Sequence, residues 1–220
     1  MNAPLLKYCG NHCFQDYKLT VNSNAHFIGF IFYKGSKRYV EPLQVLKWTT
    51  DYLKNRYQKL VGVFVNPKLD EIKEALNYLP LDIIQLHGNE SPHFVKKNKA
   101  VLNIPIWKAI HHDDNALTQM KQYRGLASGY VIDVKTKDAW GGTGQSFNWD
   151  AVPLYKKEAE RQNVPCFIAG GINPENISDL LMYRPYGIDL ASGIETNGVK
   201  SKALIDELER KVVCEYGETS

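Results

Sequence analysis

The segment KYCGNHC, residues 7–13, places Cys9, His12 and Cys13 within five positions near the start of the chain. Those residue types serve three chemistries: a metal clip, a dithiol pair, or one reactive thiol with two bystanders. A closed structural zinc site needs four ligands at suitable spacing. The other cysteines, Cys166 and Cys214, stand far downstream, and His111-His112 follow an apolar run as loop histidines do, so a second half for the clip is missing. A carboxylate offers a better partner. Asp133 closes the run YVID, where a buried charge needs a partner or a purpose. Cys9 and Asp133 have the types of an acid–base pair, with a thiolate to take a proton and a carboxylic acid to give one. That role requires a thiol that ionises more readily than usual and a carboxyl group that keeps its proton. The plainer reading of Cys9, a small buried hydrophobe in a strand, stays open.

Whether these residues meet depends on the elements that carry them. Eight short apolar runs recur: LLKYCG, HFIGFIF, KLVGVFVN, LDIIQLHG, IPIWKAI, SGYVID, PCFIAGG and GIDLASG. Segments with helical spacing alternate with them. Leu69, Ile72, Leu76 and Leu79 share one face, as do Ile177, Leu180 and Leu181, and Leu204, Leu208 and Val212. Asn66-Pro67, Ser91-Pro92 and Asn173-Pro174 each read as an N-cap before a first-turn proline. A further helix is expected to begin near Glu41-Pro42. Continuously apolar strands suit a parallel sheet covered by helices. Eight such units in 220 residues predict a (β/α)8 TIM barrel, one domain spanning 1–220. The competing open doubly wound sheet would prefer a GxGxxG turn after an early strand, and none occurs.

A barrel of this kind gathers its carboxyl-terminal strand ends around one mouth. The expected residents are Cys9, His87 and Asp133, with Arg38 in the segment FYKGSKRYV after the second strand. Gly170-Gly171 and Ser192-Gly193 end the last two strands. Glycine turns let backbone N–H groups approach an anion closely, and a helix start adds unpaired donors, so these two loops predict a phosphate site. The run WGGTGQSF, residues 140–147, reads either as a surface loop or as a mobile lid, with the amides of Gly142 and Gly144 near the ligand. Lys108 in the fifth strand raises a rival chemistry, a Schiff-base aldolase. The simpler reading is a lysine paired electrostatically in the barrel mouth.

Charge and composition narrow the field. Lys and Arg outnumber Asp and Glu by only 27 to 24 and are dispersed, which fits a small anionic substrate and argues against nucleic acid. The N-terminus lacks the basic-then-apolar layout of a signal peptide, and no apolar run reaches membrane-spanning length. Four cysteines make no disulfide framework in a chain this long. The expectation is a cytoplasmic protein with reduced thiols, no membrane partner and a small phosphorylated ligand.

The blocks KYCG, FIGFIFY with SKRYV, VGVFVN, DIIQLHGNE, VID to GGTG, FIAGGINPENI and GIDLASGIE with NGVK resemble, in this order and nearly end to end, the phosphoribosylanthranilate isomerase family. The likeness is to its Bacillus-type members in particular. It implies the third step of tryptophan biosynthesis, an Amadori rearrangement of N-(5-phosphoribosyl)anthranilate to 1-(2-carboxyphenylamino)-1-deoxyribulose 5-phosphate. On the family's pattern Cys9 is the general base and Asp133 the general acid. Arg38 holds the anthranilate carboxylate through its planar fork, and His87 lines the pocket. Gly170, Gly171, Ser192 and Gly193 bind the phosphate. Only protons move within one substrate, so the implied reaction takes no cofactor and no metal; a monomer or homodimer is expected. Where the family usually carries Ile or Leu and a short Thr/Arg turn after Cys-Gly, this chain has Asn11-His12-Cys13, a departure that bears on the packing of the first loop. The rival of another class is a non-catalytic phosphosugar-binding barrel.

Overall fold

The computed structural model describes residues 3–52, 57–134 and 148–217. Eight parallel strands close into a barrel in chain order: β1 (Leu5–Tyr8), β2 (Phe27–Ile31), β3 (Lys59–Phe64), β4 (Ile83–Leu86), β5 (Ile106–His112), β6 (Gly129–Val134), β7 (Cys166–Ile168) and β8 (Gly187–Leu190). Between them run α1 (Phe14–Val21), α2 (Pro42–Asp51), α3 (Leu69–Tyr78), α4 (Pro92–Leu102), α5 (Ala116–Gln122), α6 (Val152–Gln162) and α7 (Ile177–Leu181). After β8 come a short hairpin, β9 (Glu195–Thr196) and β10 (Val199–Lys200), and the last helix, α8 (Lys202–Gly217). This is the TIM barrel that the alternating pattern predicts. No helix among the described residues is long and apolar enough to cross a membrane.

Side chains alternate across each strand with period two, and the split follows residue parity. Even-numbered residues such as Leu6, Tyr8, Ile28, Phe30, Leu60 and Ile84 belong to the apolar layer between barrel and helices. Odd-numbered residues such as Cys9, Phe27, Val61, Val63, Trp107 and Phe167 form a separate cluster, the barrel interior. The register aligns them in layers: Lys7 pairs with Phe27 on one side and with Asp189 on the other, and Val61 pairs with Ile83. Toward the amino-terminal end, Phe27, Trp107 and Phe167 stack with ring centroids 4.8–5.3 Å apart. That aromatic plug fills the floor and leaves polar groups to the mouth.

Local signals act as their chemistry dictates, with two exceptions. Ser91 Oγ accepts from the Phe94 N–H at 3.2 Å and caps α4, with Pro92 in the first turn. Glu41 and Gln44 form a capping box at α2. Asn66 does not cap α3: it adopts a left-handed conformation at φ 47°, as asparagine tolerates, and the helix starts at Leu69. Asn173 also falls short. Its side chain accepts from the N–H groups of Glu175 and Asn176, making a turn of its own before α7 begins at Ile177. The β9–β10 hairpin turns on Asn197 (φ 54°) and Gly198 (φ 82°), the residue pair that a tight hairpin prefers.

Candidate active site

At the carboxyl-terminal ends of the strands, one cleft is lined by Cys9, Arg38, His87, Asp133, Gly170, Gly171, Ser192 and Gly193, together with Tyr33, Ser36 and Asp189. Cys9 follows β1 directly and His87 follows β4, while Asp133 is the penultimate residue of β6. Parity explains why they converge, since all three are odd-numbered and continue the inward face of their strands. Gly142 and Gly144 lie outside the described residues.

Beneath Cys9, two positions back on the same inward face, Lys7 has no solvent exposure. Its ammonium donates to both carboxylate oxygens of Asp189 at 2.8 Å. Burial, the largest single influence, would lower the Lys7 pKa, but the charges of Asp189 and Cys9 and the hydrogen bonds to both together hold it above its ordinary value. For Cys9, burial pushes the thiol up, against the pull of Lys7 and, more weakly, Lys200. Cys9 is therefore not an easily ionised thiol: loss of hydration outweighs the neighbouring cations.

Asp133 is held from one side by a histidine. His87 Nε2 lies 3.2 Å from Asp133 Oδ2, and Gln85 Nε2 lies 3.0 Å from His87 Nδ1. The two ring nitrogens of His87 thus bridge Gln85 and Asp133 and fix the ring between them. Gln85 is also odd-numbered and wholly buried; it went unnoticed in the sequence because it hides inside an apolar run.

Two loops build the glycine-rich wall. Gly170 and Gly171 have φ of 89° and 64°, so a left-handed turn presents their backbone to the cleft. The Gly171 carbonyl accepts from Asn176 Nδ2 at 2.9 Å, which braces the turn. A Cβ on Gly193 would fall 1.8 Å from the Ile172 carbonyl oxygen; the two loops touch at a point where only glycine fits. The α7 helix starts at Ile177, so the donors nearest the cleft come from these turns and from the 3-10 turn at Ser192–Ile194, with α7 set back from them.

Arg38 enters from the loop between β2 and α2. Its Nε and one terminal nitrogen donate to the two Glu195 oxygens at 2.8 and 2.6 Å. Lys200 donates to Glu195 Oε1 at 2.7 Å. Neither Glu195 nor Lys200 stood out in the sequence, because their partner lies on a distant segment.

Lys108 does not reach the mouth. Its even-numbered position turns it to the outside of the barrel wall, where its ammonium donates to the carbonyls of Leu86, Gly88 and Ala109 and pairs with Glu90 at 3.1 Å. Burial lowers its pKa against the pull of Glu90, yet it is absent from the cleft lining. That corrects its placement in the mouth and removes the geometric basis for an aldolase lysine. The three residues of KYCGNHC also part company. Cys9 goes inward, His12 pairs with Asp16 at 2.8 Å, and Cys13 is the N-cap residue of α1. Asn11, the first departure from the family pattern, is fully buried; its amide donates to the carbonyls of Tyr8 and Gly29 at 3.0 Å, tying the first loop to β1 and β2.

A closed eight-stranded barrel with a thiol, a carboxyl group, an arginine and two glycine turns at its carboxyl-terminal mouth is a (β/α)8-barrel enzyme. Residues 6–211 match the family model of N-(5'-phosphoribosyl)anthranilate (PRA) isomerase. The N-(5'-phosphoribosyl)anthranilate isomerase of Geobacillus thermodenitrificans is 51% identical over 206 residues, 94% of this chain and 92% of the relative. Among solved structures, the phosphoribosyl anthranilate isomerase of Thermotoga maritima superposes with a TM-score of 0.81 at 27% identity, covering 95% of this chain and 98% of that one. A second, in complex with reduced 1-(o-carboxyphenylamino)-1-deoxyribulose 5-phosphate, has a TM-score of 0.78 at 26% identity and covers 97% and 99%. The chain belongs to the phosphoribosylanthranilate isomerase family, and it is an isomerase of tryptophan biosynthesis.

Proposed function

We propose that the chain converts N-(5'-phosphoribosyl)anthranilate to 1-(2-carboxyphenylamino)-1-deoxyribulose 5-phosphate, with Cys9 as general base and Asp133 as general acid. The observation that carries the assignment is that a thiol from β1 and a carboxyl group from β6 line the same cleft, with Asp133 Oδ2 oriented by His87. Asp133, oriented by His87, protonates the furanose ring oxygen. The C1' to ring-oxygen bond breaks and leaves a Schiff base. Cys9, as the thiolate, then removes the C2' proton, and the resulting enolamine tautomerises to the ketone. The amides around Gly170, Gly171, Ser192 and Gly193 bind the phosphate, and Arg38 takes the anthranilate carboxylate. Its bonds to Glu195 use Nε and one terminal nitrogen, which leaves the other terminal nitrogen for the substrate. Cys9 begins the cycle as a thiol raised by burial, so its ionisation is part of the barrier that Lys7 and Lys200 help to lower.

The test generates the unstable substrate in situ and follows loss of anthranilate-type fluorescence. Wild-type chain should turn it over, whereas Cys9→Ala and Asp133→Asn should each nearly abolish turnover in a folded protein. Full activity in either variant sinks the corresponding role.

A further inference from the structure

Arg38 does not stand alone in the cleft, and its surroundings carry more than a binding contact. An arginine side chain has four rotatable bonds and carries about 2 kcal/mol of rotamer entropy when free. Here three features remove that freedom. Glu195 grips the Nε edge with both oxygens. A Cβ on Gly10 would fall 2.4 Å from Arg38 Cδ, so the stem lies directly on a glycine. The Arg38 N–H donates to Ser36 Oγ at 3.1 Å, which fixes the root of the side chain.

Glu195 is itself held. Lys200 donates to Glu195 Oε1 and to the Ala191 carbonyl at 3.1 Å, and the Lys200 side chain has no exposure. Burial would raise the Glu195 pKa, but Arg38 and Lys200 together hold it below its ordinary value, so it stays ionised. The hairpin that supplies both residues is anchored to the first loop, since Asp16 Oδ1 accepts from the Lys200 N–H at 2.8 Å.

The charges then decide what the assembly does. Arg38 with Glu195 alone is a neutral pair, to which a second carboxylate gains little by adding itself. Lys200 sets a positive charge behind the pair and offsets Glu195, at a site shielded from solvent where such a charge acts strongly. The Asp16 carboxylate on the Lys200 N–H balances it in turn, so what the assembly supplies is the direction of the guanidinium. We infer that Glu195 and Lys200 are positioning residues for substrate selection: the β9–β10 hairpin holds the Arg38 guanidinium in one orientation, so that the cleft selects an aminoribose phosphate whose aromatic ring bears a carboxylate. The inference rests on the reading that Arg38 takes that carboxylate.

The experiment compares two aldosylamines formed in situ from ribose 5-phosphate, one with anthranilate and one with aniline, which lacks the carboxylate. Wild-type chain should prefer the first. Glu195→Gln should raise its KM by roughly tenfold, the size expected for losing a charge-assisted hydrogen bond, with kcat nearly unchanged. Lys200→Met should shift KM the same way by less. Glu195→Gln should leave kcat/KM for the aniline compound unchanged. Lys200→Met, which also takes a cation away from Cys9, should lower kcat alike for both compounds while its KM effect falls on the first. The preference in kcat/KM therefore shrinks in each variant. Equal losses on both substrates would mean a merely structural role and overturn the inference, as would an unchanged preference in both variants. Arg38→Leu separates the two levels. If it leaves the preference intact, the assignment of Arg38 to the carboxylate fails and takes this inference with it. If it erases the preference while Glu195→Gln keeps it, Arg38 stands and the hairpin's role alone fails. Thermal unfolding of each variant reports whether the fold is kept.

Discussion

The two ends of the barrel interior are built from the same strands and the same residue parity, yet they hold opposite chemistry. At the floor, Phe27, Trp107 and Phe167 stack ring on ring. At the mouth the inward positions are Cys9, His87, Asp133 and Asp189. The floor is a packing problem solved by apolar area and ring geometry. In the mouth, almost every polar group has a counterpart within hydrogen-bond reach, as buried polar groups require. Between them sits the Lys7–Asp189 pair, buried like the floor and charged like the mouth. The division predicts that changes at the floor move stability and leave the chemistry, whereas changes at the mouth do the reverse.

The largest effect belongs to the mouth. Cys9→Ala and Asp133→Asn each remove a proton-transfer group, for which losses of about 10²–10⁴-fold in kcat are usual. The midpoint of thermal unfolding should hardly move, because both substitutions are small and Asn preserves the shape of Asp. A mutant that loses activity and stability together would break the division at its upper end. The boundary pair comes next. Lys7→Met leaves the Asp189 carboxylate buried with its two bonds gone, which costs about 3–5 kcal/mol of stability. The double variant Lys7→Met with Asp189→Leu should recover most of that loss in chemical denaturation while remaining impaired in turnover. If the double variant is as unstable as the single one, the pair is holding the floor together and does not belong to the mouth.

The floor supplies the smaller stability effect. Phe167→Leu removes one ring of the stack in a fully buried position and should cost about 1–3 kcal/mol, read as a lower denaturation midpoint, with kcat/KM unchanged at saturating stability. A matching loss of activity would mean that the aromatic plug sets the position of Cys9 or Asp133 through the strands.

The same division governs how much could be read from the sequence. Strand interiors announce themselves, because eight apolar runs with polar residues at their ends can be counted, and Cys9, His87, Asp133, Gly170-Gly171 and Ser192-Gly193 all fall at such ends. Lys7, Gln85 and Asp189 are not legible locally because each lies within an apolar run, where one polar residue carries no signal until parity places it inside the barrel. Glu195 and Lys200 were hidden for another reason: their link to Arg38 joins residues far apart in the chain, and no local spacing encodes it. The hairpin that carries them has an Asn197-Gly198 turn, a strong local signal, but its strands are only two residues each and give no alternation to read. Asn66 and Asn173 misled in the opposite direction. Asparagine caps helices, enters left-handed turns and makes side-chain turns with similar ease, so an Asn-Pro pair marks a break without saying how far downstream the helix begins.

The smallest effect is also the sharpest test of the boundary pair, because it reads one thiol without any substrate. Iodoacetamide reacts with the thiolate, so the rate of Cys9 alkylation against pH, followed on the Cys9 peptide by mass spectrometry to separate it from half-buried Cys13 and exposed Cys214, traces its ionisation in the free protein. Burial raises the Cys9 thiol, and its alkylation should therefore rise at higher pH than that of the same thiol in the denatured chain. Lys7 pulls the thiol down while Asp189 pushes it up, which gives the two partners opposite signs. Lys7→Met should move the profile further toward alkaline pH. Asp189→Asn should move it toward neutrality, since it removes a repelling carboxylate and frees the Lys7 ammonium to face the sulfur. These shifts are small beside the losses in turnover yet opposite in direction. Profiles that move the same way in both variants would mean that general loosening of the cleft controls the thiol, and the ion pair would then belong with the floor as packing.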